Sequence, residues 1–108
     1  MTEFVIVYIT ASAEEEAEKI AKALLDAKLA GCANIIRNVR SIYRWQGKIE
    51  DGSEVLMVVK SRRELFGRLA EMVKQLHSYS VPEVIAMPVV DGSGEYLAWL
   101  GQETSQEM

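Results

Sequence analysis

A chain of 108 residues, 49% hydrophobic and 26% charged, has the composition of one soluble globular domain, long enough to build a core without disulfides or a structural metal. Twelve basic against sixteen acidic residues leave a net charge of −4, which argues against a nucleic-acid or anionic-membrane surface. The single cysteine, Cys32, excludes an intramolecular disulfide and suits a reducing cytoplasm.

Phe4–Thr10 is a continuous apolar run with no basic segment before it and no small-residue cleavage site after it. It reads as a strand covered on both faces and is too short to span a membrane. Ser12-Ala-Glu-Glu15 has capping-box spacing, and Glu14–Glu16 complement a helix dipole. Ala17, Ile20, Ala21, Leu24 and Ala27 follow at helical spacing, with Gly31 as the expected C′ residue. Asn34–Trp45 alternates as a strand, Gln46-Gly47 and Asp51-Gly52 carry turn chemistry, and Val55–Val59 is another apolar strand. Ser61-Arg-Arg-Glu64 repeats the capping box ahead of Leu65, Leu69, Met72, Val73 and Leu76. Strand Val84–Val90 contains Pro88, which marks an edge or an end. A loop, Gly92-Ser-Gly94, leads to a short helix over Glu95–Leu100. The order βαββαβ plus a short C-terminal helix is an α+β, ferredoxin-like layout, with residues 1–101 as one domain and 102–108 as a frayed tail.

Asn34–Trp45 is too long for its domain. Extended, it reaches about 40 Å at about 3.3 Å per residue, whereas a chain of this size folds to a diameter of about 34 Å. Either it is bulged and ends near Val39, or it overhangs and pairs with a neighbouring subunit. Overhang is the better reading, because Ile42, Tyr43 and Trp45 near the tip would otherwise form an exposed edge.

Chemistry-bearing residues are few. His77-Ser-Tyr-Ser-Val-Pro-Glu83 holds the only histidine beside a phenol, a rigid proline and a carboxylate. Imidazole is the commonest metal ligand, yet on spacing alone His77 reads as a surface ring after a helix. Cys32 reads first as a small half-buried hydrophobe and second as a ligand or nucleophile, for which only His77 could be the base. Glu54 and Lys60 share one side of a strand and form either an ion pair or part of a pocket. Tyr43, Trp45 and Trp99 are residue types that dominate subunit contacts. No Gly-rich phosphate loop, Walker pattern or CxxC occurs, so no obligatory cofactor is expected, and the constellation is too sparse for an enzyme.

In order along the chain, Ala30-Gly-Cys-Ala-Asn-Ile35, Ser41-Ile-Tyr-Arg-Trp-Gln-Gly47, Glu54, Lys60, His77–Glu83 and Tyr96-Leu-Ala-Trp99 resemble the CutA divalent-cation-tolerance proteins. The resemblance implies a ferredoxin-like homotrimer joined through sheet edges, similar in architecture to the PII signalling proteins, that tolerates or responds to copper and other divalent cations. It implies a ligand pocket at a subunit junction with Glu54, Lys60, Tyr79 and Glu83 as candidates, and His77 as a candidate metal ligand, beside which Cys32 stays a candidate on its residue type alone. Tyr43, Trp45 and Trp99 become candidate subunit contacts. Ser78 stands where a proline is common, and Thr10-Ala11 where Thr-Thr is frequent. Ile9 and Leu76 stand where copper-binding relatives carry a cysteine and a second histidine, so only weak copper binding is expected. A trimeric scaffold or PII-like module without physiological metal is the alternative.

Overall fold

The computed structural model describes residues 3–106. Strand β1 (Phe4–Ala11) leads to helix α1 (Glu14–Asp26), a long hairpin of β2 (Cys32–Trp45) and β3 (Lys48–Arg62), helix α2 (Phe66–Leu76), strand β4 (Val84–Pro88) and helix α3 (Gly94–Glu103). This is the expected mixed α+β order. The strands form one antiparallel sheet in the order β2-β3-β1-β4.

Period-2 patterning decides which face is covered. Val5, Val7, Ile9 and Ala11 on β1 and Val55, Met57 and Val59 on β3 are buried against Ala17, Ile20 and Leu24 of α1 and Leu69 and Val73 of α2. Ile9, Leu24 and Leu69 are fully buried, each contributing about 2 kcal/mol by removal from water. The opposite face carries Ile6, Tyr8, Leu56, Val58, Ile85 and Met87, in register across β3, β1 and β4. Ile85 and Met87 on it remain 52% and 39% exposed.

Local chemistry departs from the expected signals in four places. Helix α1 closes at Lys28, which takes φ 60°. The Leu29 N–H donates to the Leu24 carbonyl at 2.9 Å and the Lys28 N–H to that of Leu25 at 3.0 Å, a Schellman closure. Gly31 instead serves a close approach: a Cβ there would lie 2.6 Å from Leu100 Cδ1. Gly31→Ala is therefore expected to lower the unfolding free energy by about 1 kcal/mol, overpacking outweighing the entropic gain of alanine. Denaturant midpoints at fixed protein concentration measure this.

The Ser61–Glu64 box does not cap α2. Ser61 stays in β3, fully buried, and its hydroxyl donates to the Leu29 carbonyl at 2.6 Å. A short 3₁₀ turn at Arg63–Leu65 opens the helix instead. The first box is shifted by one residue: Ser12 N–H and Oγ donate to Glu16, not Glu15, at 3.1 and 3.0 Å. Asp51-Gly52 is no turn, because β3 runs straight through it and Asp51 binds Arg40 in two parallel bonds of 3.0 and 2.7 Å. The hairpin turns only at Gln46-Gly47, where φ is 51° and 81°, as a tight primed turn requires.

The C-terminal segment makes specific contacts as far as Gln106. Thr104 is fully buried, donates to the Leu100 carbonyl at 2.7 Å and accepts from Arg62 Nε at 3.0 Å. Gln106 donates to the Lys28 carbonyl at 2.7 Å and accepts from Arg68 at 3.1 Å. Residues 107–108 lie outside the described part.

β2 is both long and bulged. Its register on β3 slips between Ile36 and Val39, where Asn38 has φ 63°. The extra residue flips parity, so Cys32, Asn34 and Ile36 share a face with Val39, Ser41, Tyr43 and Trp45. The strand does not end there. The hairpin runs on and stretches the molecule to 44 × 27 × 22 Å.

Candidate functional site

Where the root of the overhanging hairpin meets the segment after α2, a cleft of about 620 Å³ opens. Thr10 at the end of β1, Ser41–Tyr43 and Trp45 of β2, Glu54 of β3 and residues 79–81 and 83 line it. The bulge matters here. Without the parity change at Asn38, Tyr43 and Trp45 would stand on the face opposite Glu54.

The segment after α2 is held by a chain of hydrogen bonds. The Ser78 N–H donates to Glu16 Oε2 at 2.7 Å, and the Tyr79 N–H donates to His77 Nδ1 at 3.0 Å. His77 Nε2 lies 2.6 Å from the Thr10 carbonyl oxygen. Because Nδ1 accepts from a backbone N–H and a carbonyl can only accept, the ring is the Nε2–H tautomer. The Tyr79 hydroxyl donates to Glu54 Oε2 at 2.7 Å, closing the cleft floor.

Electrostatics follows from these partners. Burial pushes the Glu16 carboxyl up, but hydrogen bonds from Ser78 and Ser12 outweigh it and hold the pKa down at about 2. A depressed carboxyl stabilises the fold fully above the ordinary value of 4.5 and loses that contribution as pH falls toward about 2. Glu16→Gln is expected to cost about 2 kcal/mol at neutral pH and to flatten the acid limb of a stability–pH curve. Burial pushes the Tyr79 phenol up, and its bond to the Glu54 carboxylate pushes it further, so Tyr79 remains a neutral donor.

Expected site residues separate into three places. Glu54, Tyr79 and Glu83 come together at the cleft with Tyr43 and Trp45, the latter 47% and 43% exposed. Lys60 does not join them. Six residues along β3 from Glu54, about 20 Å away, it donates to Asn34 Oδ1 with Cys32 Sγ at 3.8 Å. Neither the Glu54–Lys60 ion pair nor a shared pocket forms. Trp99 is on α3 beside Gly31, at the other end of β2, and packs tilted against Tyr96 with ring centroids 5.5 Å apart.

His77 corrects the sequence reading twice. It is buried, not a surface ring, and both nitrogens are committed to backbone groups, leaving no lone pair for a metal. Among the described residues no three His, Cys, Asp or Glu side chains gather as a metal site. Ile9 is fully buried in the core. Glu16 is the residue that sequence reasoning missed. The acidic run Glu14–Glu16 to which it belongs signals only a helix start, and its bond to Ser78 joins positions 62 residues apart.

The CutA1 divalent ion tolerance protein family matches residues 5–103. The chain belongs to that family. The divalent-cation tolerance protein CutA of Thermus thermophilus is 48% identical over 99 residues, covering 92% of this chain and 96% of its own. The chloroplastic CutA of Arabidopsis thaliana is 42% identical over 93% of this chain, which spans 55% of that longer relative. Among solved structures, the Thermus thermophilus Cut A1 protein superposes with a TM-score of 0.92 at 46% identity, covering 94% of this chain and 99% of that one. CutA1 from Oryza sativa gives 0.93 at 38% identity, covering 98% and 97%. No helix among the described residues is long and apolar enough to cross a membrane.

Proposed function

We propose that this CutA protein is a homotrimeric binding protein of divalent-cation tolerance, not an enzyme, and that it takes its ligand in the cleft beside the Tyr79–Glu54 pair. The observation that carries this is the overhanging hairpin. It presents Ile42 at 60% and Ile49 at 69% exposure beside a cleft whose polar groups are already positioned. The uncovered sheet face around Ile85 and Met87 supplies a second apolar surface on the same chain. A neighbouring copy would satisfy both and would place the cleft at a subunit junction. The single thiol of Cys32, unpaired and half-buried, fits a reducing cytoplasm.

Any divalent cation taken at the cleft would rest on the carboxylates of Glu54 and Glu83, with His77 as internal support. Sedimentation of the full chain, with calorimetric titration of copper, zinc and calcium, tests this reading. A trimer is expected, binding copper weakly and losing it in the Glu54→Gln, Glu83→Gln double variant. A monodisperse folded monomer at micromolar concentration refutes the assembly. A nanomolar copper site that survives the double variant would move the metal away from this cleft, toward Cys32. The committed nitrogens of His77 favour one second reading, a trimeric scaffold or PII-like module without physiological metal. A trimer that takes up no metal would select it.

A further inference from the structure

We infer that the cleft recognises a small organic cation, a protonated amine or guanidinium on an apolar body. The inference rests on the proposed role of the cleft as the ligand site and names the chemistry of its occupant. Two carboxylates, Glu54 and Glu83, line the cleft, and no lysine, arginine or histidine does. Among the described residues neither carboxylate has a basic partner within ion-pair distance. Glu54 is fixed from one side only, by the Tyr79 hydroxyl on Oε2. Concave sites lined by one sign of charge concentrate ligands of the other sign.

The remaining wall is mixed: Tyr43, Trp45, Ile42 and Val81 supply aromatic and apolar surface, and Thr10, Ser41 and Ser80 supply hydroxyls. A ring face attracts a cation, and a carboxylate gives an N–H donor a charge-assisted bond. Together they match an ammonium or guanidinium head with a hydrocarbon portion against the rings. A calcium ion asks for six to eight oxygen ligands, most of them from carboxylates and carbonyls, and among the described residues no third Asp, Glu, His or Cys joins Glu54 and Glu83. An anion would meet uncompensated negative charge. The volume, about 620 Å³, is that of a small-molecule site.

The test uses the full-length assembled protein and four probes at neutral pH. Phenethylamine and agmatine are cationic, phenethyl alcohol is the neutral counterpart and phenylacetate the anionic one. Binding is read by calorimetry and by the emission of Trp45 in a Trp99→Phe background. At least one cationic probe is expected to bind tenfold or more tightly than the alcohol, with phenylacetate weakest. Glu54→Gln and Glu83→Gln, which keep shape and hydrogen-bonding capacity, are each expected to weaken that probe about tenfold or more. Equal affinity for amine and alcohol, or preference for phenylacetate, overturns the inference. Uptake of copper or calcium through these carboxylates with no amine binding overturns it while leaving the cleft as the ligand site. If no probe or metal binds and Glu83→Gln instead loosens the assembly, a neighbouring copy fills the cleft, and both readings fall.

Discussion

Replacing His77 by alanine is expected to lower the unfolding free energy by about 3 kcal/mol, from the cavity left behind and the loss of two buried hydrogen bonds. The ring has essentially no exposed side-chain surface. Its removal strands the Thr10 carbonyl and the Tyr79 N–H, which it now bridges at 2.6 and 3.0 Å. A buried group left without its partner costs more than the bond contributed, because the group loses water in the folded state and gains nothing in return. Urea midpoints at one fixed protein concentration measure the loss. The Glu54 end of the cleft should feel it too, since Tyr79 follows His77 by two residues and would lose its backbone anchor. A loss under about 1 kcal/mol, coupled to a lost copper site, would return the imidazole to the metal.

The His77 case shows where sequence reading stops. Periodicity places β1, α1, β3 and α2 on the chain because each buries a stripe against the same core, and that stripe is written in local spacing. His77 follows the last apolar residue of α2, so local spacing puts it in solvent. What buries it is the carbonyl of Thr10, 67 residues away, and no local pattern encodes such a partner. The same holds for Ser61. Its capping-box spacing is genuine, but β3 runs on past it, and a buried hydroxyl prefers the Leu29 carbonyl to a helix end it never reaches.

Asp51-Gly52 failed as a turn signal for a related reason. Those residue types favour turns in isolation, but Arg40 across the ladder holds Asp51 in the extended conformation. The overlong strand was legible because length needs only arithmetic. Its bulge was not, since Asn38 at φ 63° has no stronger local signature than any other asparagine. That bulge decides the candidate site, as it brings Tyr43 and Trp45 to the Glu54 face.

Trp45→Ala and Tyr43→Ala are each expected to weaken the assembly by about 2 kcal/mol, the loss typical of an aromatic anchor at the centre of a contact. At about 1.4 kcal/mol per tenfold, this is a shift of roughly thirtyfold in the association constant. The physical case is geometric. A 44 Å long axis on a body 27 × 22 Å across means that the hairpin tip has left its own core. Its side chains stay widely exposed, Ile42 at 60% and Ile49 at 69%, and strand β2 is an edge of the sheet. A long, apolar, unpaired edge is a template for non-specific pairing, and a closed trimer would turn it into a defined one. Sedimentation equilibrium over a dilution series reads the shift directly. Lys22→Ala, on the exposed face of α1 with its side chain 74% accessible, serves as the neutral control. An unchanged association constant in both aromatic variants would place the contact on the open sheet face around Ile85 and Met87, away from the hairpin tip.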